Sequence, residues 1–420
     1  MASIKVVGYS YSTLPNSTDI NYSMYTHVVG SFVTSDIQGN LLFDSWTSSE
    51  DIVAVLNQAK LQGAVPMIAF GTTVDGWNMT KDPVARRNFI SNLLSFCDSN
   101  GIKGIDLDLE GTAEEFNWGS PGTFFPLPYE SLAVELREAM PDSMILTAAV
   151  GSTARNGAQW TDRFLGAMDW INVMIYDRAL SWEESPIENH STWEAHASSA
   201  EYWHLDRGLS KDRICLGLPF YARGWDRTNN RMYRENPGWN VLTWDYKYFA
   251  NRYNIKRDQD TLDFPATDSI QFKRAEGVTG SGTLFFNSPE LIARKTAWTI
   301  DNSYGGVMVW HIDGDLPTTE SLSLLAALNN QVNKTTGIIT EAKKTLKGLD
   351  VIVQNNSIQF ENNSEFHSVE LYSVLGYQLL SQNISGKQGL VEISRSHLST
   401  GNYILKLRGE VDFLKEIILR

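Results

Sequence analysis

The segment Lys103-Gly104-Ile105-Asp106-Leu107-Asp108-Leu109-Glu110 sets three carboxylic acids at alternate positions. In an extended strand side chains alternate faces, so Asp106, Asp108 and Glu110 share one face and Ile105, Leu107 and Leu109 the other. Same-face neighbours lie about 7 Å apart, close enough to repel when charged. A buried carboxylate must be paired, hydrogen-bonded or protonated, so the three should titrate together and keep at least one proton at neutral pH. Glu110, the outermost, is the natural general acid. The same pattern also admits a salt-bridged structural strand or an exposed edge. A Mg²⁺ or Ca²⁺ site is a further reading, although no backbone-liganding loop follows and no Asn or Ser interrupts the acids.

An inward-facing ladder needs a frame, and the first two-thirds of the chain supplies one. Strand-like runs fall at 5–9, 26–33, 65–70, 105–110, 144–150, 170–176, 214–220 and 306–312, with helical patterns between several of them. Ile52, Val55, Leu56 and Ala59 form one stripe, which Gly63 stops; Asp82-Pro83 opens another helix, whose stripe is Phe89, Ile90, Leu93, Leu94 and Cys97 and whose end is Gly101. Strands alternating with helices imply parallel pairing, and eight such units imply a closed (β/α)8 barrel, a TIM barrel, in the α/β class. Ile105, Leu107 and Leu109 then pack against the helices, and Glu110 stands at the C-terminal rim, where barrel enzymes hold their reactive groups. The expected organisation is a catalytic barrel over 1–225 and 284–333, a small α+β insertion at 226–283 before the eighth strand, a linker at 334–347 and a β-rich C-terminal domain at 348–420. A last barrel helix is expected at 320–328.

The 420 residues carry 35 basic and 49 acidic side chains, a net charge of −14, with 42% hydrophobic and 11% aromatic residues. This is a packed globular composition, and its negative field argues against nucleic acid and anionic membranes as partners. A neutral substrate fits better. Thirteen Trp offer flat faces suited to sugar rings, although each alone reads more simply as packing. No apolar stretch of about 20 residues exists to span a membrane. The two cysteines are too few for a disulfide framework, the histidines lack metal-ligand spacing, and His27 and His311 read as packed strand residues. The start, Met-Ala-Ser-Ile-Lys-Val-Val-Gly-Tyr, runs directly into strand-like sequence without a signal-peptide pattern.

The ladder resembles the Asp-Gly-x-Asp-x-Asp-x-Glu signature of glycoside hydrolase family 18, the chitinase family. Other segments resemble that family in order: Val6-Val7-Gly8-Tyr9 its first strand, Phe32 the aromatic of its second, Met174-Ile175-Tyr176-Asp177 its sixth-strand motif. Leu216-Gly217-Leu218-Pro219-Phe220-Tyr221-Ala222-Arg223-Gly224-Trp225 resembles the seventh strand and entry to the insertion, and Gly305-Gly306-Val307-Met308-Val309-Trp310 the eighth strand with its platform Trp. Lys103 replaces the first motif Asp, and Ala69-Phe70-Gly71 replaces the third-strand Ser-x-Gly-Gly. The resemblance implies a cofactor-free and metal-free glycoside hydrolase that cuts β-1,4-linked N-acetylglucosamine polymers or oligosaccharides by substrate-assisted retention, endo action being favoured over exo. It implies Glu110 as acid and base, Asp108 on the acetamido N–H, Asp106 sharing a proton with Asp108, Tyr176 on the acetamido group, Asp177 on the sugar or supporting Tyr176, and Trp310 under the sugar. Tyr9, Phe32, Met174, Arg223 and Trp225 are candidate cleft residues, and Trp77 and Trp118, on loops after strands three and four, are candidate distal platforms. An endo-β-N-acetylglucosaminidase acting on N-glycans and a non-catalytic chitin-binding lectin are the alternatives; lectin relatives lose the terminal Glu that this chain keeps.

Val369-Glu370-Leu371-Tyr372-Ser373-Val374-Leu375-Gly376-Tyr377, His397 to Leu407 and the closing Lys415-Glu416-Ile417-Ile418-Leu419-Arg420 resemble a C-terminal sorting domain of type IX secretion cargo. That resemblance implies contact with the secretion machinery and a secreted or cell-surface protein. A small polysaccharide-binding sandwich is the alternative. Strands are expected at 351–353, 357–360, 369–372, 390–393, 403–407 and 416–419.

Overall fold

The computed structural model describes residues 4–11, 20–43, 47–110, 126–179, 186–227, 231–232, 243–264, 282–335, 351–353, 357–363, 366–373, 378–394, 401–409 and 413–419. The chain divides into two compact units, Ile4–Gln331 and a C-terminal one from Val332.

In the first unit eight parallel strands close into a ring: β1 Lys5–Ser10, β2 His27–Ser35, β3 Val65–Gly71, β4 Gly104–Asp108, β5 Ile145–Gly151, β6 Trp170–Met174, β7 Ile214–Pro219 and β8 Gly306–Trp310. Each pairs with its sequence neighbour, and β1 pairs with β8 as well as β2, so the ring is complete. Every expected run becomes a barrel strand. The runs expected at 105–110, 170–176 and 306–312 end two residues early, at Asp108, Met174 and Trp310.

Helices cover the outside as their caps dictate. Ser48 caps the helix Ser49–Leu61 in a reciprocal box with Asp51, and Ile52, Val55, Leu56 and Ala59 are its buried stripe. Asp82 caps Pro83–Asn100, and Gly101 ends it at φ 64°, a left-handed turn that glycine takes without penalty. Cys97 is buried on that helix, as its stripe requires. The last helix runs over Leu324–Thr335 rather than 320–328. Asp315 sets this start, because its carboxylate accepts the Leu324 and Leu325 N–H groups at 2.9 and 2.8 Å.

Between β7 and β8 an antiparallel sheet rises from Tyr221–Asp226, Arg231–Met232, Thr243–Asp245, Thr261–Phe264 and Gly282–Phe285. Its central strand begins at Tyr221, ahead of the expected insertion start. Phe220, just before it, still donates its N–H to the Trp310 carbonyl of β8 at 2.8 Å.

The second unit holds two antiparallel sheets. One orders Val351–Val353, Ser357–Asn363 and Gln388–Ser394; the other orders Gln378–Asn383, Phe366–Ser373, Gly401–Gly409 and Phe413–Leu419. Ile358, Phe360, Val369, Leu371, Val391, Ile393, Leu405 and Leu407 form their apolar core. The strand Gln378–Asn383 was not among the expected ones, its polar composition hiding it. The linker expected at 334–347 lies almost wholly outside the described residues. Among the described residues no helix is long and apolar enough to cross a membrane.

Candidate active site

The barrel interior below the mouth is filled by Val7, Tyr9, Val29, Met67, Ala69, Trp170, Cys215 and Met308. β4 enters this interior with Gly104, where a Cβ would lie 2.8 Å from the Met67 side chain, so the ladder's foot has room only for glycine. Asp106 follows, fully buried, between Ala69 on β3 and Thr147 on β5. Asp108, 7% exposed, ends the strand. Glu110 lies two residues beyond it, at the rim.

Polar side chains converge on the inner acid. Thr147 Oγ1 donates a short hydrogen bond to Asp106 Oδ1, and Asn172 Nδ2 donates to the same oxygen at 3.1 Å. Asn172 also donates to the Tyr9 hydroxyl at 2.9 Å, and its own oxygen accepts from Trp170 Nε1 at 3.2 Å, which fixes the amide orientation. Among the described residues Asp106 Oδ2 and Asp108 Oδ1 are buried without a hydrogen-bond partner.

Electrostatics sorts the acids. Burial raises the Asp106 pKa, against the opposing hydrogen bonds from Thr147, Tyr9 and Asn172. Burial first, then the charges of Glu110 and Asp106, raise Asp108 well above the carboxylate range. Glu110 keeps solvent contact where the mouth opens, yet the surrounding protein strips hydration from its charged form. That desolvation, with the negative charge of Asp177, pushes its pKa up to about 7. A carboxylic acid that holds its proton at neutral pH at the edge of a cleft can protonate a leaving group.

Tyr176 and Asp177 stand on the exit of β6. Burial and the charges of Asp108 and Glu110 hold the Tyr176 phenol protonated. Its ring meets Tyr221 edge-on at 5.9 Å, and its hydroxyl lies 3.8 Å from Met308 Sδ. Asp177 occupies left-handed backbone, φ 58°, unusual for a residue with a side chain. Three side chains hold it there through four hydrogen bonds. The Tyr221 hydroxyl and Arg223 Nε donate to Oδ1 at 2.7 Å, Arg223 Nη2 donates to Oδ2 at 2.5 Å, and the Asp177 N–H donates to His190 Nδ1 at 3.2 Å. Burial opposes its charge, but Arg223 and His190 outweigh it and hold the pKa well below the usual carboxylate range. The site thus pairs a firm anion, Asp177, with a protonated acid, Glu110.

The segment carrying these two residues is braced from behind. Ser191 Oγ donates to the Ile175 carbonyl at 2.5 Å, and the buried Lys295 Nζ donates to Ser191 Oγ, Ser191 O and Asn287 Oδ1 at 2.9, 2.7 and 2.7 Å.

Aromatic residues gather at the ends of β1, β2 and β8. Phe32 stacks on Trp310 with centroids 5.9 Å apart, Tyr9 tilts against the same indole at 5.9 Å and Tyr11 at 6.2 Å. The next residue, His311, is pinned between Asp245 at 3.2 Å and Asp313 at 3.6 Å. Burial opposes its charge, yet these carboxylates push its pKa up to about 9, so it is an ionised strut tying β8 to the insertion sheet rather than a plain packed residue.

The structure therefore brings together Asp106, Asp108, Glu110, Tyr176, Asp177, Tyr9, Phe32, Met174 and Trp310. Met174 packs in the barrel interior beside Tyr176. Arg223 serves as the brace of Asp177, and Trp225 packs with Phe285 on Ala179, two residues beyond Asp177. Trp77 corrects an expectation. It lies on the helix Val74–Lys81 and is 6% exposed, its ring edge-on to Tyr129 at 4.8 Å and under Lys81 at 4.7 Å. A ring so covered packs and offers no face to a distal sugar. Trp118 lies outside the described residues. Thr147, Asn172, His190 and Tyr221 were not singled out from sequence. The available signal was a lone polar residue inside apolar runs, Thr147 in Ile-Leu-Thr-Ala-Ala-Val and Asn172 in Trp-Ile-Asn-Val-Met.

Residues 353–420 match the family described as secretion system C-terminal sorting domain. A curated relative, chitinase A1 of Niallia circulans, is 27% identical over 330 residues, covering 68% of this chain and 46% of the relative. The chain spans less than half the length of that relative and of others like it, among them a probable endochitinase of Caenorhabditis elegans. The solved chitinase ChiB from the chitin utilization locus of Flavobacterium johnsoniae superposes with a TM-score of 0.62 at 23% identity, covering 80% of this chain and 95% of that one. A Bacteroides thetaiotaomicron chitinase superposes with a TM-score of 0.62 at 22% identity over 81% and 99%. With residues 5–315, the greater part of the chain, matching the glycosyl hydrolases family 18, the closed barrel and its acid ladder are those of a member of that family.

Proposed function

We propose that this protein is a chitinase that cuts within β-1,4-linked N-acetylglucosamine chains, with retention at the anomeric carbon. Glu110 gives its proton to the glycosidic oxygen as the bond from that oxygen to C1 breaks. The acetamido carbonyl oxygen of the same sugar attacks C1 and closes a positively charged oxazolinium ring. Asp108, turned toward the acetamido N–H, orients it and offsets the charge, and Asp106 exchanges a proton with Asp108. Tyr176 donates to the acetamido oxygen, Asp177 holds the sugar beside it, and Trp310 lies under the ring. Glu110, now ionised, takes a proton from water as the water oxygen attacks C1, which reopens the ring and restores the acid. This route needs no second carboxylate as nucleophile.

One observation carries the reading: Glu110 stands at the mouth of a closed barrel, two residues beyond Asp108, a buried acid whose Oδ1 has no partner among the described residues. The curated relatives are named chitinases, which supports this substrate class. The deciding experiment is product analysis on N-acetylglucosamine oligomers beside a high-mannose glycoprotein. Short N-acetylglucosamine oligomers as products support the reading. Released high-mannose glycan would assign the protein to N-glycan trimming, and binding of chitin without turnover would assign it as a lectin. The match of residues 353–420 supports export by type IX secretion to the cell surface or medium. Retention of the protein inside cells lacking that machinery is the expected outcome.

A further inference from the structure

We infer that Thr147 and Asn172 are positioning residues that choose which acid of the ladder carries the shared proton. The inference rests on the hydrolytic reading above.

Asp106 is flanked in register by two strands of opposite character. On β3 its partner is Ala69, which has no donor to offer; on β5 its partner is Thr147. Among the described residues the side-chain donors to this carboxylate therefore lie on the β5 side and beyond: the Thr147 hydroxyl, the Asn172 amide and the Tyr9 phenol. Thr147 and Asn172 aim at the same oxygen, Oδ1, and leave Oδ2 buried without a partner among the described residues. The Asn172 amide cannot flip to present its oxygen instead, since Trp170 Nε1 already donates to that oxygen.

Donors on a carboxylate favour its ionised form. With one proton shared between Asp106 and Asp108, two neutral donors on Oδ1 place the charge on Asp106 and the proton on Asp108. Asp108 Oδ1 is buried without a partner among the described residues, and Asp108 faces the charges of Glu110 and Asp106. The other titratable groups facing Asp106 are Tyr9 and Tyr176, both held protonated by burial, so neither supplies a competing charge.

The test is Thr147→Val, which keeps shape and loses the donor. We expect kcat to fall about tenfold with KM within about twofold, and the acidic limb of kcat/KM to move up by about half to one pH unit, since a lost donor makes Asp106 harder to ionise. The alkaline limb, set by Glu110, should stay in place. Thr147→Ser should restore both rate and limb. In an Asp106→Asn background Thr147→Val should do little more, because the group it acts through no longer titrates. An unmoved acidic limb, failed rescue by serine, or an undiminished effect in the Asp106→Asn background overturns the inference. Thr147→Ala loses the same hydroxyl with a smaller side chain and stands in if the valine variant does not fold. Failure of both to fold would make the hydroxyl a structural requirement and also overturn it. A wild-type protein with no hydrolytic activity removes the hydrolytic reading and this inference together, whereas an active wild type with an unmoved limb removes only this one.

Discussion

Glu110→Gln keeps size and polarity but removes the acid, so hydrolysis of N-acetylglucosamine oligomers should fall by more than about a thousandfold while folding and oligomer binding persist. Retained turnover would remove Glu110 from the chemistry. Because Glu110 titrates near pH 7 and acts protonated, kcat/KM should fall about tenfold per pH unit above that value. The same proton has a stability consequence. Folding raises the pKa of Glu110, so the folded chain binds more protons between the ordinary Glu range and about 7, and stability should decline as pH rises through that window. Thermal midpoints of wild type and Glu110→Gln across those pH values would measure it, the variant losing the slope. Arg223→Met tests the anion opposite. It strips Asp177 of its guanidinium partner, and we expect roughly 2 kcal/mol less stability and a tenfold or greater loss of kcat/KM. The ladder acids were legible because charge at period two is rare in a strand that must be buried. The bracing of Asp177 was not: the resemblance marks Arg223 only as a cleft residue, and Tyr221, Arg223 and His190 meet Asp177 across folded distance and leave no spacing in the chain.

At the level of elements, the barrel strands were readable as short apolar runs, but three were read two residues too long. Leu109, Ile175 and Ile312 explain this: each is buried although it lies past the end of its strand. Hydrophobic patterning persists where ladder pairing has stopped. That mismatch has a use, because Glu110, Tyr176 and Asp177 sit on backbone free of strand neighbours and can turn toward the mouth. The opposite end of β4 has no such freedom. Gly104→Ala would push a methyl to 2.8 Å from Met67, and overpacking of this kind typically costs about 1–3 kcal/mol, which a denaturant melt would read. The start of the final helix also escaped the sequence, because its cap is the carboxylate of Asp315, nine residues before the Leu324 N–H it accepts.

For the molecule as a whole, the division after Gln331 predicts that a chain ending at Thr335, which keeps the last barrel helix, hydrolyses soluble oligosaccharides at a rate within about twofold of the full chain. Loss of that activity would make the C-terminal unit a requirement of the barrel. The ring seam carries a different consequence. Lys5 pairs with Gly306, so during synthesis the first strand of the ring waits about three hundred residues for its closing partner. Until then β1 and the growing sheet offer bare hydrogen-bonding edges. A nascent chain of this design needs shelter during synthesis, and a slow closing step late in refolding is its natural kinetic signature.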